Sequence, residues 1–82
     1  MRTKIKLDLD GLIKILENPI RRRVIERLSQ EPNYSLRLSK ELGLGQQLVT
    51  KHLNIMENSG IVKTKIKSIP LGPRRRIFSL AK

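Results

Sequence analysis

The sequence has no cysteine and no tryptophan, and aromatic residues make up only 2% of its 82 residues. A chain without cysteine cannot form disulfides and offers no thiolate to a soft metal ion, a composition typical of cytoplasmic proteins. Because aromatic side chains are so few, we expect the core to be packed from isoleucine and leucine. With 38% hydrophobic residues, the length predicts a single small domain over residues 1–82.

Long apolar runs are also missing. No segment approaches the length of a membrane-spanning helix, and the N-terminal residues MRTKIKLDLDG lack the apolar stretch of a signal peptide. The sequence therefore predicts a cytoplasmic protein with no membrane partner.

Acidic residues are scarce, since 7 Asp and Glu residues stand against 18 Lys and Arg residues, which gives a formal net charge of +11. The excess is concentrated near the end of the chain, because residues 61–82 contain no acidic residue at all. Residues 31–60, by contrast, carry equal numbers of both signs. A positive excess placed in one segment predicts a polyanionic partner, and nucleic acid is the natural one.

The residues needed for catalysis or metal binding are too few. One histidine, no cysteine and scattered carboxylates cannot supply a nucleophile, a base and an orienting group. His52 alone cannot build a metal site, so we expect it to pack half-buried or to contact a phosphate. The segment that starts at Asp8 fails as a calcium loop, because Leu12 and Pro19 occupy ligand positions. We therefore expect a non-enzyme with no metal and no cofactor.

The first third of the chain predicts two helices. Residues 4–9, KIKLDL, alternate in polarity, so a short strand and a frayed arm both remain open. Asn18 is expected to cap a second helix that has Pro19 in its first turn and ends near Gln30. The first helix is expected to end at Asn18, with a buried stripe of Leu9, Leu12, Ile13 and Leu16.

The middle of the chain predicts two helices joined by a short turn. After a turn at residues 31–33, Ser35 is expected to cap a third helix that Gly43 ends. A turn at residues 43–45 leads directly to a fourth helix from about Gln46 to Asn58. Its apolar residues Val49, Leu53 and Met56 recur at helical spacing and should face the core.

The basic segment after Gly60 predicts a β-hairpin. Residues 61–68 and 75–80 have β character, and two prolines confine residues 69–73 to a loop. In the first strand Val62, Thr64 and Ile66 should face inward, which turns the intervening lysines outward together. The predicted fold class is therefore mainly α with a β-hairpin, a winged helix-turn-helix of about four helices followed by a two-stranded wing.

Three segments resemble the successive signatures of ArsR-like winged helix-turn-helix transcriptional regulators: NPIRRRVIERLSQ, LSKELGLGQQLVTKHLNIMENSGIV and GPRRRIFSL. The resemblance covers about residues 12–80, and the order and spacing of the segments make it specific. It implies a double-stranded DNA partner, with the fourth helix in the major groove and the wing along the backbone or in the minor groove.

The sequence departs from the pattern of this family in two places. Metal-sensing relatives carry cysteines at the start of the third helix, where this chain has Ser35, Leu36 and Arg37, so metal sensing is not expected. Many relatives also pair through a C-terminal helix, whereas this sequence stops at Lys82. The chain is then either an isolated DNA-binding domain or a homodimer, and we expect the homodimer. Its contact is expected between the first helix and the N-terminal segment, where Ile5, Leu7 and Ile15 lie outside the predicted buried stripe.

The predicted DNA-contacting residues lie on the fourth helix and the wing. Amide, hydroxyl and lysine side chains can read base edges without repelling DNA, and arginine is suited to phosphates and to a narrow minor groove. Arg76 could instead brace the strand. The set is Gln46, Gln47, Thr50, Lys51, Asn54, Lys65, Lys67, Arg74, Arg75 and Arg76. Alternatives are a solvated surface, a protein-interaction module and an RNA-binding module.

A second basic cluster, Arg21–Arg23, falls in the first turn of the second helix, where the helix dipole disfavours cations. We expect one of these arginines to pair with Glu17 or Glu26 and another to reach a phosphate.

Overall fold

The computed structural model of the chain describes residues 9–67, 72 and 74–81. It confirms the predicted class, because helices are followed by a β-hairpin in the winged helix-turn-helix order. The predictions for the KIKLDL segment before Leu9 and for most of the hairpin tip fall outside these residues. The elements are α1 (Leu9–Glu17), α2 (Pro19–Gln30), β1 (Asn33–Tyr34), α3 (Ser35–Leu42), α4 (Gln46–Asn58), β2 (Val62–Lys67) and β3 (Arg75–Leu80).

The corner between α1 and α2 is set by Asn18 and Pro19, as predicted. The Asn18 carboxamide oxygen accepts hydrogen bonds from the backbone N–H groups of Ile20 at 2.8 Å and Arg21 at 3.3 Å. Pro19, in the first turn, has no N–H that would need a partner. These local interactions leave only Asn18 between α1, which ends one residue earlier than predicted, and α2.

The turn of the helix-turn-helix begins at Gly43. This residue follows α3 with φ of 69°, in the left-handed region that glycine adopts at little cost. Its N–H donates to the Lys40 carbonyl at 3.3 Å, and the N–H of Leu44 donates to the Ser39 carbonyl at 2.9 Å. Two residues later the chain enters α4, so α3 and α4 are held close together.

A third strand is present that the sequence did not reveal. The predicted turn at residues 31–33 is wrong at its last position, because Asn33 and Tyr34 form β1 and pair antiparallel with Phe78 and Ile77 of β3. The sheet order is β1-β3-β2. Ser35 is also the first residue of α3 rather than its cap, a position that Tyr34 takes without a side-chain bond. A two-residue strand is too short to show an alternating pattern.

The core is aliphatic and is shared by all the helices and the hairpin. Phe78 of β3 is the single aromatic residue within it. The predicted inner face of α4 is confirmed, because Val49, Leu53 and Met56 are all fully buried. The buried apolar residues are Ile15, Val24, Leu28, Leu38, Leu42, Val49, Leu53, Met56, Val62 and Phe78.

The buried side of α1 was predicted wrongly. Ile15, expected at the dimer contact, instead faces the core and is 5% exposed, whereas Leu9 is 70%, Ile13 48% and Leu16 36% exposed. Ile5 and Leu7, the other residues expected at that contact, lie outside the described residues. Apolar residues lie on more than one side of this short helix, so periodicity alone could not choose between them. The outcome is an apolar stripe of Leu9, Ile13 and Leu16, spaced four and three residues apart on the surface, which we call the α1 stripe.

The inward face of β2 is buried only near its start. Val62 is buried and Thr64 is half-buried, but Ile66 is 58% exposed. The prediction that Ile66 packs inward is therefore wrong. The described residues at this end of the hairpin, 65–67 and 74–76, are all exposed. None of the helices in the described ranges is long and apolar enough to cross a bilayer.

Candidate nucleic-acid interface

The outward side of α4 carries the residues that sequence predicted for base contacts. Because one side of the helix is buried in the core, these side chains lie on the surface, Thr50 half-buried and the others exposed. Together with Ile55 and Asn58 they line one open groove along the helix. The members of this α4 surface are Gln46, Gln47, Thr50, Lys51 and Asn54.

The start of α4 is tied to the start of α3. The amide nitrogen of Gln46 donates to the Ser35 hydroxyl at 3.2 Å. Both residues also line a second groove, which runs between α3 and β3 and includes Arg74 and Arg75. The N-terminal end of the α4 surface therefore lies near wing cations as well as near the helix-turn-helix turn.

The wing has two faces with different chemistry. Residues directly opposite each other in an antiparallel pair project to the same side, so the registers Lys65 with Ile77 and Lys67 with Arg75 define one face. The other face carries Thr64 opposite Phe78 and Ile66 opposite Arg76, and it is turned toward α4. We call the first face, which bears Lys63, Lys65, Lys67 and Arg75, the outer wing face.

Like charges are concentrated on the outer wing face. Lys67 and Arg75 are direct cross-strand neighbours, an arrangement that is destabilising unless an anion lies nearby. Arg75 also lies over the ring of Tyr34, with its guanidinium carbon 5.6 Å from the ring centroid. Among the described residues, Arg76 is the one wing cation that has a carboxylate partner. The outer wing face thus has no internal charge compensation.

Arg76 connects the wing to α4. Its guanidinium donates to the Asn54 side-chain oxygen at 3.2 Å and lies 3.7 Å from a Glu57 carboxylate oxygen. The same guanidinium stacks over Phe78, 4.8 Å from the ring centroid. The second Glu57 oxygen accepts a 2.9 Å hydrogen bond from the hydroxyl of Thr64. We call these four polar residues, Asn54, Glu57, Thr64 and Arg76, the wing–helix bridge.

The arginine cluster in the first turn of α2 contacts backbone carbonyls instead of the predicted carboxylates. Arg22 donates to the Leu16 carbonyl at the end of α1, and Arg23 donates to the Leu42 carbonyl at the end of α3, at 3.4 Å. The C-terminal ends of helices carry partial negative charge, which favours cations there. This arrangement offsets the unfavourable position of the arginines within α2, and the expectation of pairing with Glu17 or Glu26 is wrong.

His52 is a packing residue between α4 and α2. It is 5% exposed, and its Nδ1 accepts a 3.1 Å hydrogen bond from Nε of Arg21. An Arg side chain can only donate, so the Nδ1 of His52 must be unprotonated in this contact. Burial lowers the pKa of His52 below its ordinary value of 6.5, and the positive charges of Arg21 and Lys51 lower this pKa further.

The structure brings only part of the predicted site into direct contact. Asn54 and Arg76 touch, and Gln46 lines one groove with Arg74 and Arg75. Lys65 and Lys67 lie on the outer wing face, opposite the face that carries Arg76. Sequence reasoning missed Glu57 and Thr64, although Glu57 is the one acidic residue of α4, which could have marked it. No group of three or more potential metal ligands occurs within the described part of the chain.

Comparison of sequences connects these features to a known family. The sequence profile of bacterial regulatory proteins of the arsR family matches residues 18–64, from the cap of α2 into β2. The match therefore includes the whole helix-turn-helix. A comparison with curated proteins finds no significant match.

Several solved structures are similar to this chain. An ArsR family transcriptional regulator is 31% identical, with a TM-score of 0.74, over 90% of this chain and 76% of that chain. The transcriptional repressor BigR from Xylella fastidiosa is 24% identical, with a TM-score of 0.76, over 90% of this chain and 68% of that chain. The homodimeric winged helix-turn-helix DNA-binding domain of Mb0332 from Mycobacterium bovis is 17% identical, with a TM-score of 0.75, over 87% and 61%. All three share the fold of this chain.

Proposed function

The chain belongs to the arsR family of DNA-binding transcriptional regulators, and on that premise we propose that it binds duplex DNA sequence-specifically through α4 and its wing. The observation that carries this proposal is the α4 surface, which presents amides, a hydroxyl and a lysine around one groove. The single carboxylate of α4, Glu57, is engaged by Thr64 and Arg76. No unpaired negative charge of α4 would therefore face a phosphate.

We assign base reading to the α4 surface. Glutamine and asparagine can donate and accept at base edges, threonine can contact a base through its hydroxyl or methyl group, and lysine can reach guanine or a phosphate. In helix-turn-helix proteins the N-terminal residues of the second helix make most base contacts. Gln46, Gln47 and Thr50 are therefore the first candidates, and Lys51 and Asn54 follow.

We assign backbone contacts to the wing. Lys65, Lys67 and Arg75 form a row of cations with no carboxylate partner, and Arg74 lies exposed just before β3. DNA phosphates would supply the missing negative charge and would reduce the repulsion between the neighbouring side chains of Lys67 and Arg75. Because the described residues at the far end of the hairpin, 65–67 and 74–76, are exposed, they can reach phosphates that flank the groove occupied by α4. Arg76 belongs to this interface as the link between the wing and α4.

We propose a homodimer that pairs through the α1 stripe. One recognition helix reads only a few base pairs, and helix-turn-helix proteins gain specificity by pairing over two half-sites. Three exposed apolar side chains on a single helix face, Leu9, Ile13 and Leu16, favour burial against the same stripe of a second copy. A homodimer is also the state of the similar Mb0332 domain from Mycobacterium bovis.

A competition experiment tests the nucleic-acid partner. Labelled duplex DNA is bound at several salt concentrations and then competed with unlabelled duplex DNA or with double-stranded RNA. We expect DNA to compete better and affinity to fall steeply with salt, because each neutralised phosphate contributes about 0.9 to the slope of log K against log salt. Equal or better competition by RNA, or a slope near zero, would contradict the proposal.

A further inference from the structure

The wing–helix bridge restricts what Asn54 can offer to a base. Arg76 has donors only and no acceptor, so the Asn54 atom that lies 3.2 Å from its guanidinium has to be the carboxamide oxygen. The Asn54 amino group then points away from Arg76. Asn54 lines the open groove of the α4 surface, so its amino group can face the DNA. The oxygen keeps a second lone pair, but the positive guanidinium beside it disfavours a second donor, such as the adenine amino group.

Glu57 holds Arg76 in the position that this arrangement requires. One Glu57 oxygen lies 3.7 Å from the guanidinium, while the other is fixed by the Thr64 hydroxyl at 2.9 Å. The Arg76 guanidinium also stacks on the Phe78 ring, which further restricts its position. The orientation of the Asn54 carboxamide is thus set by residues of β2, β3 and the last turn of α4, none of which needs to touch a base.

We propose that Arg76 and Glu57 are positioning residues that make Asn54 a reader of guanine rather than adenine, an inference that rests on the proposed binding of α4 in the major groove. Adenine recognition by asparagine uses both the side-chain oxygen and the amino group, because adenine presents a donor beside an acceptor. Guanine presents two acceptors, N7 and O6, which suit an amino group alone. Without Arg76, the carboxamide is free to turn and pair with adenine.

The test is a selection of bound duplexes from a random-sequence library, carried out with the wild type and with single variants. Asn54→Ala identifies the base position concerned, because its preference should disappear there. At that position the wild type should favour guanine over adenine by about tenfold, the discrimination expected of a good contact. Arg76→Ala should move the preference toward adenine by a similar factor.

Three further variants separate positioning from loss of charge or of fold. Arg76→Lys should keep the guanine preference, because lysine also has donors only. Glu57→Gln should shift the preference in the same direction as Arg76→Ala, and it serves as the test if Arg76→Ala fails to fold. Arg74→Ala removes a wing cation that has no contact with Asn54, so it should lower affinity at every sequence and leave the preference unchanged.

The outcomes are distinguishable. An adenine preference in the wild type, no position relaxed by Asn54→Ala, or an unchanged preference in both Arg76→Ala and Glu57→Gln would overturn the positioning role and leave sequence-specific binding intact. A library in which the wild type enriches no sequence would instead contradict the proposed function, and the inference would fall with it.

Discussion

The outer wing face provides a quantitative test, because two of its cations form an uncompensated pair. Substituting both Lys67 and Arg75 by Ala removes side chains that are direct cross-strand neighbours. Each neutralised phosphate contributes about 0.9 to the slope of log K against log salt. If each of the two cations neutralises one phosphate, the magnitude of this slope should decrease by about 1.8. Affinity for a labelled duplex is measured by fluorescence anisotropy between about 50 and 200 mM salt, a range over which it changes steeply.

The same substitution should have little effect on folding. Removing two like charges that face each other relieves a repulsion of about 0.2–1 kcal/mol, while the lost contact of Arg75 with the Tyr34 ring is worth about 0.5–1 kcal/mol at an exposed site. These two effects have opposite signs and similar size. The free energy of unfolding, measured in urea, should therefore stay close to that of the wild type, so that a lower slope reflects binding alone.

A matched control removes two exposed cations that lie outside both the α4 surface and the wing, Lys14 of α1 and Lys40 of α3. Both double variants then lose the same number of positive charges. The control pair should leave the slope near its wild-type value, and an equal reduction in both double variants would refute a specific role for the outer wing face.

Three further predictions concern assembly, pH and the corner of the fold. Ile13→Glu should convert the dimer to a monomer in sedimentation experiments, because it places a carboxylate in the α1 stripe, whereas the same change at exposed Ile66 should leave the dimer intact. The free energy of unfolding should fall as pH decreases below about 6.5, since the lowered pKa of His52 means that the unfolded chain takes up the proton more readily. His52→Asn, which can accept from Arg21 without titrating, should flatten this dependence, and a curve that remains as steep would exclude His52 as the cause. Asn18→Ala should cost about 1 kcal/mol in urea unfolding through loss of the cap, and no change would mean that the cap bonds do not stabilise α2.

Local signals made the helix boundaries predictable. The cap at Asn18 and the left-handed glycine at Gly43 are each decided by neighbouring residues, and the spacing of Val49, Leu53 and Met56 identified the buried side of α4. The outward chemistry of α4 followed directly from that inner face. These features needed no knowledge of distant parts of the chain.

Other features depend on tertiary contacts that no local pattern contains. The buried side of α1 is determined by the packing of Ile15 against the rest of the core. The spacing of the apolar residues alone is equally compatible with burial of another side of the helix. Strand β1 exists because β3 supplies partners more than forty residues away in the sequence. The wing–helix bridge likewise joins residues of three elements, so it could not be derived from charge counts or periodicity.

The most direct test of the account is the change in sequence preference when the α4 surface is altered. Binding of the wild type, Gln47→Ala and Lys51→Ala is measured against a random duplex library, with circular dichroism to verify folding. We predict one enriched sequence for the wild type and, in each variant, discrimination relaxed by about 1–3 kcal/mol at particular base pairs. Variants that fold and keep the wild-type preference at every position would contradict the claim that α4 reads the DNA sequence.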